Sequence, residues 1–442
     1  MQRRADDMQH RAILRRSWSR PVHARRKACA IAGAALAAHA LASASAAIAA
    51  PPDGSVVRGW TALAEAAVRA ANASDAQAAR MYAMVDAAMF DAVNGTAGHG
   101  APRPPAIVAA PHPQAGDAAV AAAGAAHDVL VALDPARSGA YDVQLAADLA
   151  GARSAPAADA GRGWGAQVAS AVLDARRADG SSPDETQLPI IAPGFFDRPW
   201  SGVQFRGLAP FAIADPSAYL DDGPPALDSR AYADGYDEVK LVGDVRRPDD
   251  AAKATFDFWS LGAHTDQPPG AWLQVADAVS RGLSLARTAR LFALESMALA
   301  DTVGPTYEEK ARYRMWRPTP AIQQGDADGN RATLGDGGWS ARAGAVGSSP
   351  QHWSGHSAFS AAGATVLAGF LCDDDTSFEL VTDSAPGGAA RSYRSFSQAA
   401  AEAGRSRVLG GLHFPFSDVA GRRAGRAIAR EVLRRALGGT RC

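Results

Sequence analysis

The feature that most constrains the fold is a series of segments in which apolar residues recur every three or four positions. This spacing places apolar side chains on one face of an α-helix. It occurs at 60–73, 76–93, 117–133, 140–152, 162–178, 250–259, 271–302, 357–371 and 396–409. Convincing alternation of apolar and polar residues, which is typical of half-buried strands, is absent from the sequence. We therefore predict an all-α protein built as a helical bundle.

The helical pattern is interrupted between residues 180 and 248. There Pro, Gly, Asp and aromatic residues dominate and no period persists. An irregular stretch of this length inside a domain is more often a functional covering loop than a linker, and Phe195, Phe196, Trp200 and Phe205 are available to pack it down. We predict one domain over residues 51–442, with N-terminal helices at 51–180, an irregular covering segment at 181–249, and core helices at 250–442.

The first 50 residues have the pattern of a secretory leader. Nine Lys or Arg residues lie between Arg3 and Lys27, and an almost wholly small or apolar run follows and ends in Ala47-Ile48-Ala49-Ala50-Pro51. A basic region, an apolar region and a small-residue cleavage site together predict a signal peptide at 1–50 and a secreted or periplasmic protein. Export by the general route and by a twin-arginine route are both compatible with Arg25-Arg26.

Charge and cysteine content exclude several classes of partner. The chain has 45 Lys+Arg and 46 Asp+Glu; without the first 50 residues these become 36 and 44, a net charge of −8. An acidic body does not favour nucleic acid or anionic membranes, and no segment after the leader is long and apolar enough to span a bilayer. Cys372 and Cys442 permit one disulfide, and no Cys/His cluster has the spacing of a zinc site.

Within this acidic chain, a first cationic motif consists of Lys310 and Arg317-Pro318. We predict a helix from Tyr307 to Trp316, on which a separation of seven residues returns a side chain to within about 20° of the same face. Both cations then converge on one anion. Because Arg312 and Arg314 lie nearby, this segment taken alone favours a solvated basic stripe.

Two further motifs carry histidines. Ser354-Gly355-His356 begins a predicted helix, whose N-terminal amides and dipole favour an anion; an ordinary Ser cap is the alternative. Arg407 ends another predicted helix, and Gly410-Gly411 then releases the chain so that His413 reaches the same place from a loop. A buried structural histidine is the alternative there.

Together the three motifs predict a site for a tetrahedral oxyanion. Cations neutralise such an anion, a hydroxyl and a backbone amide donate hydrogen bonds to it, one imidazole attacks or ligates its centre, and the other moves protons.

These motifs resemble those of the vanadium-dependent haloperoxidase and type 2 phosphatidic-acid phosphatase superfamily. Its pattern is Lys, six residues, Arg-Pro; then Pro-Ser-Gly-His; then Ser-Arg, five residues, His. Here Trp353 stands in place of the Pro, and the acidic residue that usually follows the last His by four positions is Asp418, five after His413. The resemblance is closest to secreted bacterial haloperoxidase-like proteins, in segments such as "MWRPTPAI" and "WSGHSAFSAAGA".

The resemblance implies a role for each matching residue. Lys310, Arg317, Ser354, the Gly355 amide and Arg407 bind the oxyanion, His356 is the acid/base, and His413 is the vanadium ligand or the nucleophile. His352 and Trp353 are expected either to tune the site or to serve packing. Asp418 or a backbone carbonyl is expected to orient the His413 imidazole.

Two activities therefore remain open, because the same pocket serves both. In a haloperoxidase, vanadate is the cofactor and the partners are halide and hydrogen peroxide. In an acid phosphatase, a phosphate ester forms a phosphohistidine at His413 and His356 protonates the leaving alcohol. A non-enzymatic protein that binds phosphate or vanadate is disfavoured, since binding does not need two histidines. A homodimer is compatible with the sequence.

Overall fold

The computed structural model describes residues 54–98, 102–111, 113–440 and 442. The predicted signal peptide at 1–50 lies outside these residues. Thirteen α-helices are present in the described part of the chain. They are α1 Ser55–Ala71, α2 Asp75–Gly95, α3 Ala118–Leu133, α4 Ser138–Ala150, α5 Ala155–Ala175, α6 Arg230–Val242, α7 Asp250–Phe258, α8 Gln267–Ser280, α9 Leu285–Tyr313, α10 Pro318–Gln323, α11 Gly355–Leu371, α12 Phe396–Leu409 and α13 Pro415–Arg435.

Strands are few and short, which confirms the all-α prediction. Within the described residues they form two antiparallel pairs, each two or three residues long. They are β1 Thr186–Gln187 with β2 Trp200–Ser201, and β3 Phe378–Leu380 with β4 Arg391–Tyr393. Neither pair is long enough to form a layer of its own.

The helices pack around one large apolar core. The buried helix α9 contacts α2, α8, α11 and α13, while α3 packs on α5 and α11 packs on α13. Trp60, Trp272 and Phe292 are among the large side chains that are fully enclosed in this core. Since α9 and α11 are both central, the residues at their ends that carry the predicted site are held by the most buried part of the molecule.

The long apolar run predicted as one helix at 271–302 is in fact two helices, α8 and α9. The break contains Gly282 at φ +89°, a conformation that other residues rarely adopt, and Ser284 then occupies the N-cap position of α9. Hydrophobic spacing on both sides of the break continues without interruption. Apolar periodicity therefore did not reveal the turn.

The middle segment is less irregular than its composition predicted. It contains β1 and β2, and also the whole of α6. Tyr232, Tyr236 and Val239 of α6 are fully buried, in a small cluster with Trp316, Trp339 and Phe414. The aromatic residues of the segment do pack it down: Phe196, Trp200 and Phe205 are all buried, whereas Phe195 is partly exposed.

The C-terminus is fastened to the bundle by a disulfide between Cys372, just after α11, and Cys442. In the described part of the chain no single helix is long and apolar enough to cross a membrane. The segments Ala118–Leu133 and Pro135–Ala150 meet that criterion only when they are taken together, and the chain bends by 119° between them.

Candidate active site

The predicted site residues meet at a cleft of about 570 Å³. Six of the seven line it: Lys310, Arg317, Gly355, His356, Arg407 and His413. The seventh, Ser354, is fully buried beside it. Three motifs that are far apart in the sequence are thus brought to one place by the ends of α9, α11 and α12.

Lys310 and Arg317 reach the cleft by a different route from the one predicted. Helix α9 ends at Tyr313, because Arg314 takes a left-handed conformation at φ +49° and its N–H closes onto the Lys310 carbonyl. Arg317 is the N-cap of the next helix, α10. The two cations therefore converge because the chain turns between them, and they do not share one helical face.

A loop before α11 holds both cations by its carbonyl groups. Lys310 Nζ donates to the Pro350 carbonyl at 2.5 Å, and Arg317 Nε donates to the Ser349 carbonyl at 2.7 Å. A Cβ atom at Gly347, which has φ +95°, would lie 2.8 Å from the Arg317 guanidinium carbon. This glycine is therefore needed for the loop to pass so close to Arg317.

The Gly410-Gly411 turn brings His413 to Arg317, as predicted. The N–H groups of Leu412 and His413 both donate to the Arg407 carbonyl, which closes the chain around the end of α12. Arg317 Nη1 lies 2.8 Å from His413 Nε2. Because a guanidinium only donates hydrogen bonds, His413 Nε2 is the acceptor and carries no proton.

Arg407 and His413 both have buried polar atoms without a partner. Arg407 Nη1 donates to the Trp259 carbonyl at 3.3 Å, whereas its Nε has no hydrogen-bond partner among the described residues. The same is true of His413 Nδ1. Unsatisfied buried donors are rare and costly, so their presence in one cleft indicates a site built for a ligand.

The Ser354-Gly355-His356 motif begins α11. Ser354 is the N-cap, and its Oγ accepts hydrogen bonds from the N–H and the hydroxyl of Ser357. It does not line the cleft in this arrangement, so direct contact between its hydroxyl and an anion stays a prediction. His356 Nε2 lies 3.1 Å from the Ser260 carbonyl, which only accepts, so this nitrogen carries the proton and Nδ1 has the free electron pair.

The electrostatics of the cleft favour an anion. Burial, and then the neighbouring Arg407, lower the pKa of Arg317 to about 9, and burial lowers the pKa of Arg407 to the same value. Burial and Arg317 hold the pKa of Lys310 well below its ordinary value. These groups are enclosed and repel one another, and an anion among them offsets both effects.

The same cations keep both histidines neutral. Burial first, and then Arg407, depress the pKa of His356 well below its ordinary value. For His413 the causes are burial followed by Arg317, Lys310 and Arg407. Each ring therefore presents a free electron pair at neutral pH, which is what a ligand, a nucleophile or a general base requires.

Two neighbours predicted to assist the site face elsewhere. Asp418 pairs with Arg422, four residues along α13, through two contacts of 3.0 Å. In the described residues neither Asp418 nor a carbonyl group reaches His413 Nδ1. His352 contacts Asp221, Glu309 and Ser417. Trp353 is enclosed against Ala358 and Ala424, and its indole lies beside the Glu309 carboxyl.

Sequence reasoning missed a carboxylate at the cleft. Asp75, the first residue of α2, accepts a hydrogen bond of 2.6 Å from the Tyr307 hydroxyl. Its Oδ2 lies 3.4 Å from where a Cβ of Gly355 would be. Pro199, Trp200 and Ser201 of the middle segment also line the cleft. The aromatic content of that segment did indicate a covering role, but Asp75 appeared in the sequence only as part of a helix start.

Comparison with known proteins agrees with this geometry. Residues 290–438, which contain all three motifs, match the family model of the VCPO second helical-bundle domain. A search of curated proteins found no match.

Solved structures share the fold. A bacterial vanadium-dependent iodoperoxidase superimposes with a TM-score of 0.73 at 22% identity, over 86% of this chain and 95% of that one. A holo-type bacterial vanadium-dependent chloroperoxidase gives 0.64 at 15% identity, over 80% and 90%. An apo-type bacterial vanadium-dependent chloroperoxidase gives 0.65 at 16%, over 81% and 93%. Residues 290–438 thus match the second helical-bundle domain of this family in sequence, and most of the chain shares the fold of these solved structures.

Proposed function

Since the chain has the fold of the vanadium-dependent haloperoxidases and their second helical bundle, we propose that it is a vanadate-dependent haloperoxidase. It would oxidise halide with hydrogen peroxide and be exported through the leader at 1–50. The observation that carries the proposal is the cleft itself. Three buried cations and two neutral histidines converge there, and Arg407 Nε and His413 Nδ1 have no partner among the described residues.

The residues present fit vanadate. Lys310, Arg317 and Arg407 supply charge-assisted donors for its oxygens, and the first amides of α11, at Gly355, point into the same cleft. His413 Nε2 has a free electron pair, which now accepts a hydrogen bond from Arg317 Nη1. If that electron pair bound vanadium instead, the Arg317 N–H would become available to the anion. Ser354 Oγ accepts from Ser357 and keeps its own O–H to donate, so it would contribute if that O–H reached an oxygen of the anion.

Bound vanadate supplies an electrophilic centre at which peroxide is activated towards halide without redox cycling of the metal. The protein's own part is to bind and to move protons. His356 is fixed by the Ser260 carbonyl through Nε2, which leaves Nδ1 to take or give a proton at the cleft. Since an anion offsets the nearby cations, its binding raises the pKa of His356 towards the range where proton transfer is efficient.

A pair of assays tests the proposal. Purified protein is incubated with vanadate, peroxide and each halide in turn, and halogenation of a dye is followed; in parallel, release of nitrophenol from its phosphate ester is followed without vanadate. We expect halogenation that depends on vanadate and on peroxide. Ester hydrolysis without halogenation would instead establish the phosphatase, and binding of vanadate with neither activity would establish a binding protein.

A further inference from the structure

A second cluster of ionisable side chains lies outside the cleft. Asp221 of the middle segment, Glu309 of α9 and His352 of the loop before α11 offer atoms that all lie within 4.8 Å of one another. The side chains are 10%, 0% and 2% exposed, in that order. None of the three lines the oxyanion cleft, although Glu309 is next to Lys310 in the sequence.

The distances suit a metal ion. His352 Nε2 lies 3.2 Å from Asp221 Oδ1 and 3.5 Å from Glu309 Oε2. Nitrogen and oxygen ligands at about 2.0–2.1 Å from a tetrahedral ion are separated from one another by roughly 3.3–3.4 Å. One imidazole and two carboxylates are also a donor set that first-row divalent ions accept.

Other hydrogen bonds orient the three side chains, and Glu309 Oε2 is left without one. His352 Nδ1 lies 3.1 Å from the Ser417 hydroxyl, which fixes the ring with Nε2 facing the carboxylates. The Asp221 N–H donates to Glu309 Oε1 at 3.2 Å, and the Gly223 N–H donates to Asp221 Oδ1 at 2.8 Å. Metal ligands in proteins are usually held in this way by groups behind them.

Glu309 is the strongest indication of a missing partner. Its Oε2 is fully enclosed and makes no hydrogen bond within the described residues. The nearby cation Arg423 contacts only the other oxygen of Asp221, at 3.4 Å, and its side chain is 70% exposed.

We propose that Asp221, Glu309 and His352 bind one first-row divalent cation, for which Zn²⁺ is the probe. The ion fastens the middle segment to α9 and to the loop that leads into α11. Because the middle segment also supplies Pro199, Trp200 and Ser201 to the cleft, the ion steadies one wall of the oxyanion site from outside it.

The test is metal binding by the full chain without its leader, stripped with a chelator. Equilibrium dialysis against Zn²⁺ with elemental analysis is expected to give one ion per chain. Replacement by Co²⁺ is expected to give the visible absorption of a low-symmetry, four-coordinate site. Glu309→Gln and Asp221→Asn should each weaken Zn²⁺ binding at least tenfold, whereas Glu308→Gln, on the same helix but outside the cluster, should bind as the wild type does.

Far-UV circular dichroism confirms that each variant is folded, and Asp221→Asn, at the less buried ligand, serves if Glu309→Gln does not fold. Absence of stoichiometric binding in the wild type would overturn the proposal and leave a cluster held by hydrogen bonds between His352 and its carboxyl neighbours. Binding that both variants retain would place the ion elsewhere and overturn it equally. Vanadate affinity is measured separately, so that failure here leaves the function proposed for the cleft untouched.

Discussion

The oxyanion cleft and the Asp221–Glu309–His352 cluster use the same two stretches of chain and have opposite character. Lys310 and Glu309 are consecutive in α9, and about 100° of helical rotation directs them to different sides. His352 and His356 lie on either side of the start of α11. The cleft gathers cations, while the cluster gathers carboxylates. Adjacent residues therefore belong to separate sites, and the direction of each side chain determines the site to which the residue belongs.

The comparison also shows how unpaired charge marks a ligand site. In the cleft, Arg407 and His413 have buried nitrogens without a partner in the described residues, and in the cluster Glu309 has such an oxygen. The unpaired nitrogens of the cleft present positive charge or an N–H dipole, which suits the anion proposed there. The unpaired oxygen of Glu309 presents negative charge, which suits the cation proposed for the cluster. Four experiments on the cleft test this contrast.

The largest effect is expected for His413→Ala. It removes the nitrogen proposed as vanadium ligand or nucleophile, and we expect activity to fall by more than about a thousandfold, or about 4 kcal/mol of transition-state stabilisation. Steady-state rates measure this. His264→Asn, at an exposed histidine, is the control and should be unaffected. A folded His413→Ala protein that keeps more than about a tenth of the rate would refute the assignment.

His356→Gln separates proton transfer from binding. The variant retains a side chain that can donate to the Ser260 carbonyl but cannot exchange protons near neutral pH. We expect kcat to fall about a hundredfold, while vanadate affinity changes less than about threefold. The measurement compares the fold-change in kcat with the fold-change in vanadate affinity. Loss of vanadate binding with an unaltered pH–rate profile would exchange the roles of the two histidines.

Lys310→Met tests whether the cleft cations bind the anion. Loss of one charge-assisted hydrogen bond should weaken vanadate binding about tenfold or more. At a vanadate concentration of about 100 times the wild-type Kd, stabilisation by the ligand should drop from about 2.7 to about 1.4 kcal/mol. Thermal unfolding with and without vanadate measures both values. Arg312→Met, which removes an exposed cation from the same helix, should behave as the wild type.

The smallest effect concerns pH. His356 and His413 have folded pKa values well below the ordinary 6.5, so the unfolded chain binds more protons than the folded one below about pH 6.5. The contribution of these two histidines to the free energy of unfolding in the absence of oxyanion should therefore decrease as pH falls through 6.5 and level off below the folded pKa values. In His356→Gln this dependence should be shallower. Identical slopes would mean that His356 is not held neutral by the fold.

The contrast also explains how much of the fold and of the cleft could be predicted from the sequence. The helices on both sides of the middle segment and six of the residues around the cleft were predictable, because apolar spacing and local motifs encode them. The partnership of Lys310 with Arg317 was predicted for an incorrect reason, since the left-handed residue Arg314 ends the helix between them. The sequence pattern around Arg314 does not indicate its left-handed conformation.

Contacts between residues far apart in the sequence could not be predicted, for a related reason. Asp75 meets the cleft from α2, and Asp221 meets Glu309 from the middle segment, so each contact joins residues separated by 88 positions or more. Helix α6 was hidden within a segment rich in Pro and Gly, although its buried residues Tyr232, Tyr236 and Val239 follow helical spacing. Such features depend on how the elements pack, which periodicity within one element does not determine.

The disulfide between Cys372 and Cys442 encloses a stretch of chain that carries Arg407 and His413. The two cysteines are 70 positions apart. Closing a loop of that length removes so many conformations from the unfolded chain that, in the chain-entropy description, the cross-link stabilises the fold by about 4 kcal/mol. Two groups of the cleft therefore lie inside a covalent ring, and reducing agents would lower the stability of the fold without touching any residue of the cleft.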